Sequence, residues 1–170
     1  MGFSAGAFMT INLACASPDT WAGVGLAAGG PYRCATSAAG ALTCMLGQRL
    51  DPERSKQACD AAGGHRPWRL RASLWHGEHD TVVSVADFEA LSSMLTQLLA
   101  AHAVSTTIRD GATSSLYRNA GGRAALETWL VPGMPHAWSG GDARGSHTDP
   151  AEPDATEHML DFLLPDLRTP

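Results

Sequence analysis

Apolar residues recur along this chain with two periods. In residues 5–16 (AGAFMTINLACA), Phe8, Ile11 and Cys15 fall on one helical face. Pro18 then ends the helix, because proline has no N–H to donate and its ring blocks the preceding turn. Residues 85–102 carry the clearest amphipathic pattern, with Val85, Phe88, Leu91, Leu95, Leu98 and Leu99 three or four positions apart. A last helix is expected over 154–164, with the Asp154 carboxylate placed to accept an N–H of the first turn. Between these lies a stretch rich in Ala, Ser and Gly, residues 36–64, with helical propensity at 52–61 before Gly63-Gly64.

Strand signals alternate with the helices. Residues 22–28 (AGVGLAA) form an apolar run bounded by Gly29, Gly30 and Pro31, and residues 70–76 (LRASLWH) alternate up to Gly77. Residues 114–131 read as a hairpin with Gly121-Gly122 near its turn. This alternation predicts an α/β fold with a mostly parallel sheet, flanking helices, and ligands at the carboxyl ends of the strands.

Composition narrows the partners. At 170 residues, 44% hydrophobic and 17% charged, the chain suits a single globular domain. A net charge of -5 without a basic cluster in the sequence argues against nucleic acid or an anionic membrane as partner. No apolar run reaches the roughly 20 residues of a membrane span, and MGFSAGAFMT lacks the charged and apolar regions of a signal peptide. None of the four cysteines stands in a CxxC pair. Cys15, among apolar helix residues, is expected to be a buried free thiol. A disulfide is expected between two of Cys34, Cys44 and Cys59, with the pairing left open.

The chemistry gathers at strand ends. Gly2-Phe3-Ser4-Ala5-Gly6 matches G-x-S-x-G, a sharp strand-to-helix turn that projects a serine hydroxyl above the sheet and needs small neighbours to close. Ala5 N–H, at the helix N-terminus, is placed to stabilise a developing oxyanion. A hydroxyl needs a base, and in this turn family the acid and histidine follow the serine in the chain. Asp80 stands just past the strand at 70–76, with Asp142 and Asp149 as reserve candidates. His136 follows the strand ending near residue 131, in a loop stiffened by Pro132 and Pro135. Among the other histidines, His147 is the main rival. His76, His79 and Asp80 could also be read as metal ligands, but H-E-x-x-H is absent, so no metal is assigned. Trp138, two residues past His136, is either a core residue or a substrate-binding wall of the acyl pocket.

Four stretches together resemble the poly(3-hydroxybutyrate) depolymerase family of esterases, whose relatives include feruloyl and acetylxylan esterases. They are GFSAGAFMT at 2–10, GGPYRCA at 29–35, LWHGEHDTVV at 74–83 and PGMPHAWSGGDARGSHTDPAEPDAT at 132–156. The resemblance implies an α/β-hydrolase fold, a triad of Ser4, Asp80 and His136, and an acyl-enzyme mechanism without metal or organic cofactor. It also implies secretion and an ester or polyester substrate. Pro135 departs from the glycine that the family usually has before the histidine.

The family also has a long segment ahead of the nucleophile, with the strand leading into the turn and the second oxyanion donor. Only Met1 precedes Gly2 here. The chain is therefore expected to be a single partial catalytic domain over 1–170, from the nucleophile turn onward, with the strand at 22–28 left as an open edge for self-association. Three functions follow as expectations: a hydrolase of short-chain hydroxyalkanoate polyester, a feruloyl or acetylxylan esterase, or a catalytically incompetent fragment acting as a binding module.

Overall fold

The computed structural model describes residues 1–165. In chain order the elements are β1 (Gly2–Phe3), α1 (Ala5–Ala16), β2 (Gly23–Ala27), α2 (Ala38–Met45), α3 (Pro52–Ala62), β3 (Arg71–Gly77), α4 (Val85–Leu98), β4 (Ala101–Arg109), β5 (Ala112–Asn119), β6 (Ala124–Val131), β7 (Trp138–Ser139), β8 (Thr148–Asp149) and α5 (Ala155–Leu163). Among the described residues the main sheet has the order β1-β2-β3-β6-β5-β4. The pairs β1–β2, β2–β3 and β3–β6 are parallel, whereas β6–β5 and β5–β4 are antiparallel.

Both faces of the parallel part are covered, which explains its near-continuous apolar strands. On one face Val24, Leu26, Ala72, Leu74 and Leu126 pack with Ile11 and Ala14 of α1 and Leu91, Met94 and Leu95 of α4. On the other, Trp75 and Trp129 stand opposite each other in register and stack at 4.5 Å, beneath Met159 and Leu163 of α5. The helix starts follow ordinary capping chemistry: Ser37, Asp51, Ser84 and Asp154 each accept a first-turn N–H.

Several expectations need correction. The helix expected over 85–102 ends at Leu98; Ala100 takes a left-handed φ of 47°, and β4 begins at Ala101. Leucines 98 and 99 keep the helical period, but Val104, Thr106, Thr107 and Ile108 are β-branched and prefer a strand. The hairpin is thus a three-strand meander, whose first turn is Asp110-Gly111, both at positive φ. Helix α2 arises inside the Ala/Ser/Gly-rich stretch, where Ser37 caps a run rich in alanine. Phe8, expected on the buried face of α1, is only half-buried; Ala7, Ile11, Ala14 and Cys15 form that face.

Cys15 is buried as expected but is not a free thiol. It bridges to Cys59, because α1 and α3 pack side by side and bring both sulfurs into the core. Cys34 and Cys44 form a second disulfide, within the trio expected to supply one. Gly2 and Phe3, where no strand was expected, pair with Leu26 and Ala27, so β2 is not wholly uncovered.

Candidate active site

The turn at Ser4 is set by its neighbours. Ser4 lies between β1 and α1 with φ 53° and ψ -119°, outside the comfortable backbone regions for a residue with a side chain. Its N–H donates to Ala27 O at 2.9 Å, and its carbonyl accepts the N–H groups of Ala7 and Phe8. Gly2 makes this closure possible: any Cβ there would collide with the Gly6 backbone. A Cβ on Gly6 would meet nothing within 4 Å, so the steric demand falls on Gly2 and not equally on both glycines. Ala5, the first residue of α1, has an N–H with no intrahelical partner.

Two further loops converge on Ser4 from the ends of β3 and β6. Glu78 N–H donates to Val131 O, and His79 N–H to Met134 O at 3.1 Å, so the two loops are laced together. Gly77 permits the contact, since a Cβ there would strike the Met134 carbonyl. Asp80 is buried in this junction. Its Oδ1 accepts both Val82 N–H and Val83 N–H at 2.8 Å, which leaves Oδ2 for His136 Nδ1 at 2.7 Å. His136 Nε2 lies 2.9 Å from Ser4 Oγ.

The pattern fixes the proton positions. A carboxylate only accepts, so Nδ1 of a neutral His136 carries the proton and Nε2 offers its lone pair to the Ser4 hydroxyl. The arrangement can take a proton from Ser4 Oγ and hold the resulting imidazolium beside Asp80. Phe3 packs its ring against His136 at a centroid distance of 4.8 Å. His76 is fully buried, with Nε2 3.0 Å from Val83 O and 3.7 Å from Asp80 Oδ2. Burial lowers its pKa, and the resulting neutral ring donates to Val83 O, bracing the loop that holds Asp80.

Sequence reasoning placed Ser4, Ala5, Asp80 and His136, and the fold brings all four together. The Val82 and Val83 amides and the packing of Phe3 were missed, and His76 was weighed only as a metal ligand. The first two could have been read from Asp80-Thr81-Val82, an aspartate poised to bond the backbone two residues on. His147 stands apart: its ring is 6.2 Å from that of Phe3, and its carbonyl accepts Trp138 N–H. Among the described residues, His76 and His79 join no cluster of three metal donors; such a cluster is formed by Cys34, Cys44 and Asp87, but its two sulfurs are tied in a disulfide.

A cavity of about 360 Å³ opens beside Ser4, walled by Phe8, Asn12, Pro31, Arg33 and Met45, with the Cys34–Cys44 disulfide in its lining. Trp138 does not line it; its indole N–H donates to Thr156 Oγ1, and its ring packs against the core beneath α5. Behind the disulfide lies Asp87, with no exposed surface and with Oδ1 3.3 Å from Cys44 Sγ. A bridged sulfur has no proton to give, so this contact suits a protonated carboxyl. Burial pushes Asp87 up to about 7, against the opposing pull of the Gly47 N–H.

Residues 1–117 match the esterase PHB depolymerase family. The chain belongs to that family. It is 35% identical over 143 residues to poly(3-hydroxyalkanoate) depolymerase C of Paucimonas lemoignei, covering 79% of this chain and 34% of that protein. Feruloyl esterase B of Talaromyces stipitatus is 30% identical over 146 residues, covering 79% of this chain and 40% of that protein. The PHB depolymerase structure from Penicillium funiculosum superposes with a TM-score of 0.70 at 18% identity, over 99% of this chain and 51% of that one. The acetyl xylan esterase structure from Aspergillus awamori gives a TM-score of 0.69 at 20% identity, over 79% and 52%. The α/β-hydrolase fold is therefore established. The chain spans about a third to two-fifths of the length of these curated relatives, and about half that of the solved structures.

Proposed function

We propose that the protein hydrolyses carboxylic esters through an acyl-enzyme on Ser4. His136 removes the Ser4 proton as Oγ attacks the ester carbonyl, and Asp80 holds the ring in the required tautomer and stabilises its charge. Ala5 N–H donates to the tetrahedral oxyanion. His136 then gives the proton to the departing alcohol, and a water activated by the same ring releases the acid. The observation that carries this reading is the unbroken chain Ser4–His136–Asp80, at 2.9 and 2.7 Å, from three separate strand ends.

The substrate class we favour is a short-chain polyhydroxyalkanoate polyester, in keeping with the relative at 35% identity. Feruloyl or acetyl esters of plant polysaccharide are the second reading, supported by the match to feruloyl esterase B. We also propose secretion, since the described chain holds two disulfides and no free cysteine, as suits an oxidising compartment. No described helix is long and apolar enough to cross a membrane.

The test is hydrolysis of p-nitrophenyl butyrate, of poly(3-hydroxybutyrate) and of methyl ferulate by parent and variants. Ser4→Ala and His136→Ala are each expected to lose roughly 10⁴- to 10⁶-fold in turnover, with the double variant little worse. Asp80→Asn should lose about 10⁴-fold or less. A fluorophosphonate should label Ser4 and no other serine. Undiminished activity in Ser4→Ala would end this reading.

A further inference from the structure

We propose that Arg33, Arg49 and Arg54 form a carboxylate-binding subsite next to Ser4, which takes the anionic end of an ester substrate. The inference rests on the esterase reading above and adds what the leaving half of the substrate carries.

A second cavity, of about 420 Å³, adjoins the one at Ser4, and the two share Arg33, Cys34 and Ala35. Arg49 and Arg54 line the second cavity with Tyr32, Ser55 and Asp51. The three arginines are 16 and 5 positions apart in sequence (33 to 49, 49 to 54), so no basic run announces them. The fold gathers them into one wall with a single carboxylate, and Asp51 is already engaged as the cap that accepts Arg54 N–H.

Among the described residues none of these three guanidinium groups makes an ion pair. Elsewhere Arg66 pairs with Asp19, Arg144 with Asp142, and Arg71 donates to Phe162 O. All three are solvent-exposed and line one concavity without an ion-pair partner among the described residues, an arrangement that favours an anion between them. Arg33 and Arg49 both take a left-handed φ, at 52° and 57°.

The chemistry selects the ligand. In a polyester of hydroxy acids, the alcohol side of each scissile ester runs to a terminal carboxylate. Ser4 Oγ bonds to the carbonyl carbon, the C–O ester bond breaks, and His136 protonates the departing oxygen. The released hydroxy acid carries its carboxylate in the arginine cavity, where planar guanidinium forks bind it in pairs. Water then cleaves the acyl-serine. The protein is thereby directed to short free-acid oligomers and chain ends.

The experiment compares the linear trimer of 3-hydroxybutyrate as free acid and as methyl ester. The parent should favour the free acid by about tenfold in kcat/KM, a preference that shrinks at about 0.5 M salt. Arg33→Gln/Arg49→Gln should bring the acid-to-ester ratio near one, and Arg49→Gln/Arg54→Gln, whose residues line the second cavity and not the one at Ser4, should do the same. A parent ratio of one, or a ratio that the substitutions leave intact, overturns the subsite. p-Nitrophenyl butyrate separates the two readings: a parent that cleaves it but ignores the acid group refutes the subsite alone. Calorimetric binding of both trimers to Ser4→Ala decides the subsite without turnover, with equal affinities counting against it.

Discussion

The two halves of the sheet are built differently. Strands β2, β3 and β6 are parallel, covered by helices on both faces and almost wholly buried. The β4–β5 pair is antiparallel, and β4 is exposed along nearly its whole length, with Ile108 71% exposed. Ser4, Asp80 and His136 follow β1, β3 and β6, and none follows β4 or β5. Parallel strands end on one edge, so their following loops meet there, whereas an antiparallel pair sends successive turns to opposite edges. The buried half thus carries the candidate site, and the exposed half completes the pairing of β6.

Loosening the buried half is expected to have the largest effect. The Cys15–Cys59 bridge closes a separation of 44 residues and ties α1, which follows Ser4, to α3. In the chain-entropy picture its loss costs about 4 kcal/mol. Cys34–Cys44 spans 10 residues, and its loss costs about 3 kcal/mol by the same relation. Urea unfolding of Cys15→Ser/Cys59→Ser should show the larger loss. Cys34→Ser/Cys44→Ser should lose less stability and in addition raise KM, because that bridge lines the cavity beside Ser4. If Cys15→Ser/Cys59→Ser stays within about 1 kcal/mol of the parent, this bridge does not hold the half together.

The same contrast explains what the sequence could tell. The strand at 22–28 was legible as an apolar run bounded by Gly29 and Gly30, and that at 70–76 from its alternation up to Gly77. Asp80 and His136 were legible because residues just past strand ends are few. Strand β4 was not, since Leu98 and Leu99 carry the helical period up to a turn that depends on the unusual φ of Ala100. The Asp110-Gly111 pair was a usable hairpin signal, but carrying the helix to residue 102 left no strand ahead of it to pair. Cys15 was misread because its partner lies 44 residues away on another helix, a matter of tertiary packing and not of local pattern. The arginine cavity was invisible for the same reason.

A smaller effect sharpens the picture inside the buried half. Asp87 is raised from an ordinary carboxyl value to about 7 by burial, so the folded protein binds its proton more tightly than the unfolded chain does. Its favourable contribution is complete below about pH 4 and is lost as pH rises toward 7, after which the penalty stays constant. Asp87→Asn keeps an acceptor for the Gly47 N–H and carries no charge. Thermal melting should therefore show the variant gaining on the parent from pH 4 to pH 7, with the gain complete and constant above about pH 7. Parallel melting curves at pH 5 and pH 8 would show that Asp87 does not titrate in this window.

The smallest effect on folding is expected at the exposed edge, and it tests whether that half has a role of its own. The edge of β2 is partly occupied, because Gly2 and Phe3 pair with Leu26 and Ala27. The outer side of β4 lacks a strand partner over Ala101–Arg109 among the described residues. Its only interruption is the register shift between Ala103 and Ser105, and Val104 and Ile108 add 45% and 71% exposed apolar side chains. A row of unpaired N–H and C=O groups beside such residues is a template for a second copy. We therefore expect self-association through β4, edge to edge. Ile108→Lys places a charge on that edge without touching the buried strands, so unfolding free energy should move by no more than about 0.5 kcal/mol. Light scattering across a concentration series should show the parent associating and Ile108→Lys shifted toward monomer. If both associate alike, β4 is not the contact and the stretch of β2 at Gly23–Gly25, which β1 does not pair, becomes the edge to charge next. If neither associates, the twist of the meander and its bulge already suffice to protect the edge.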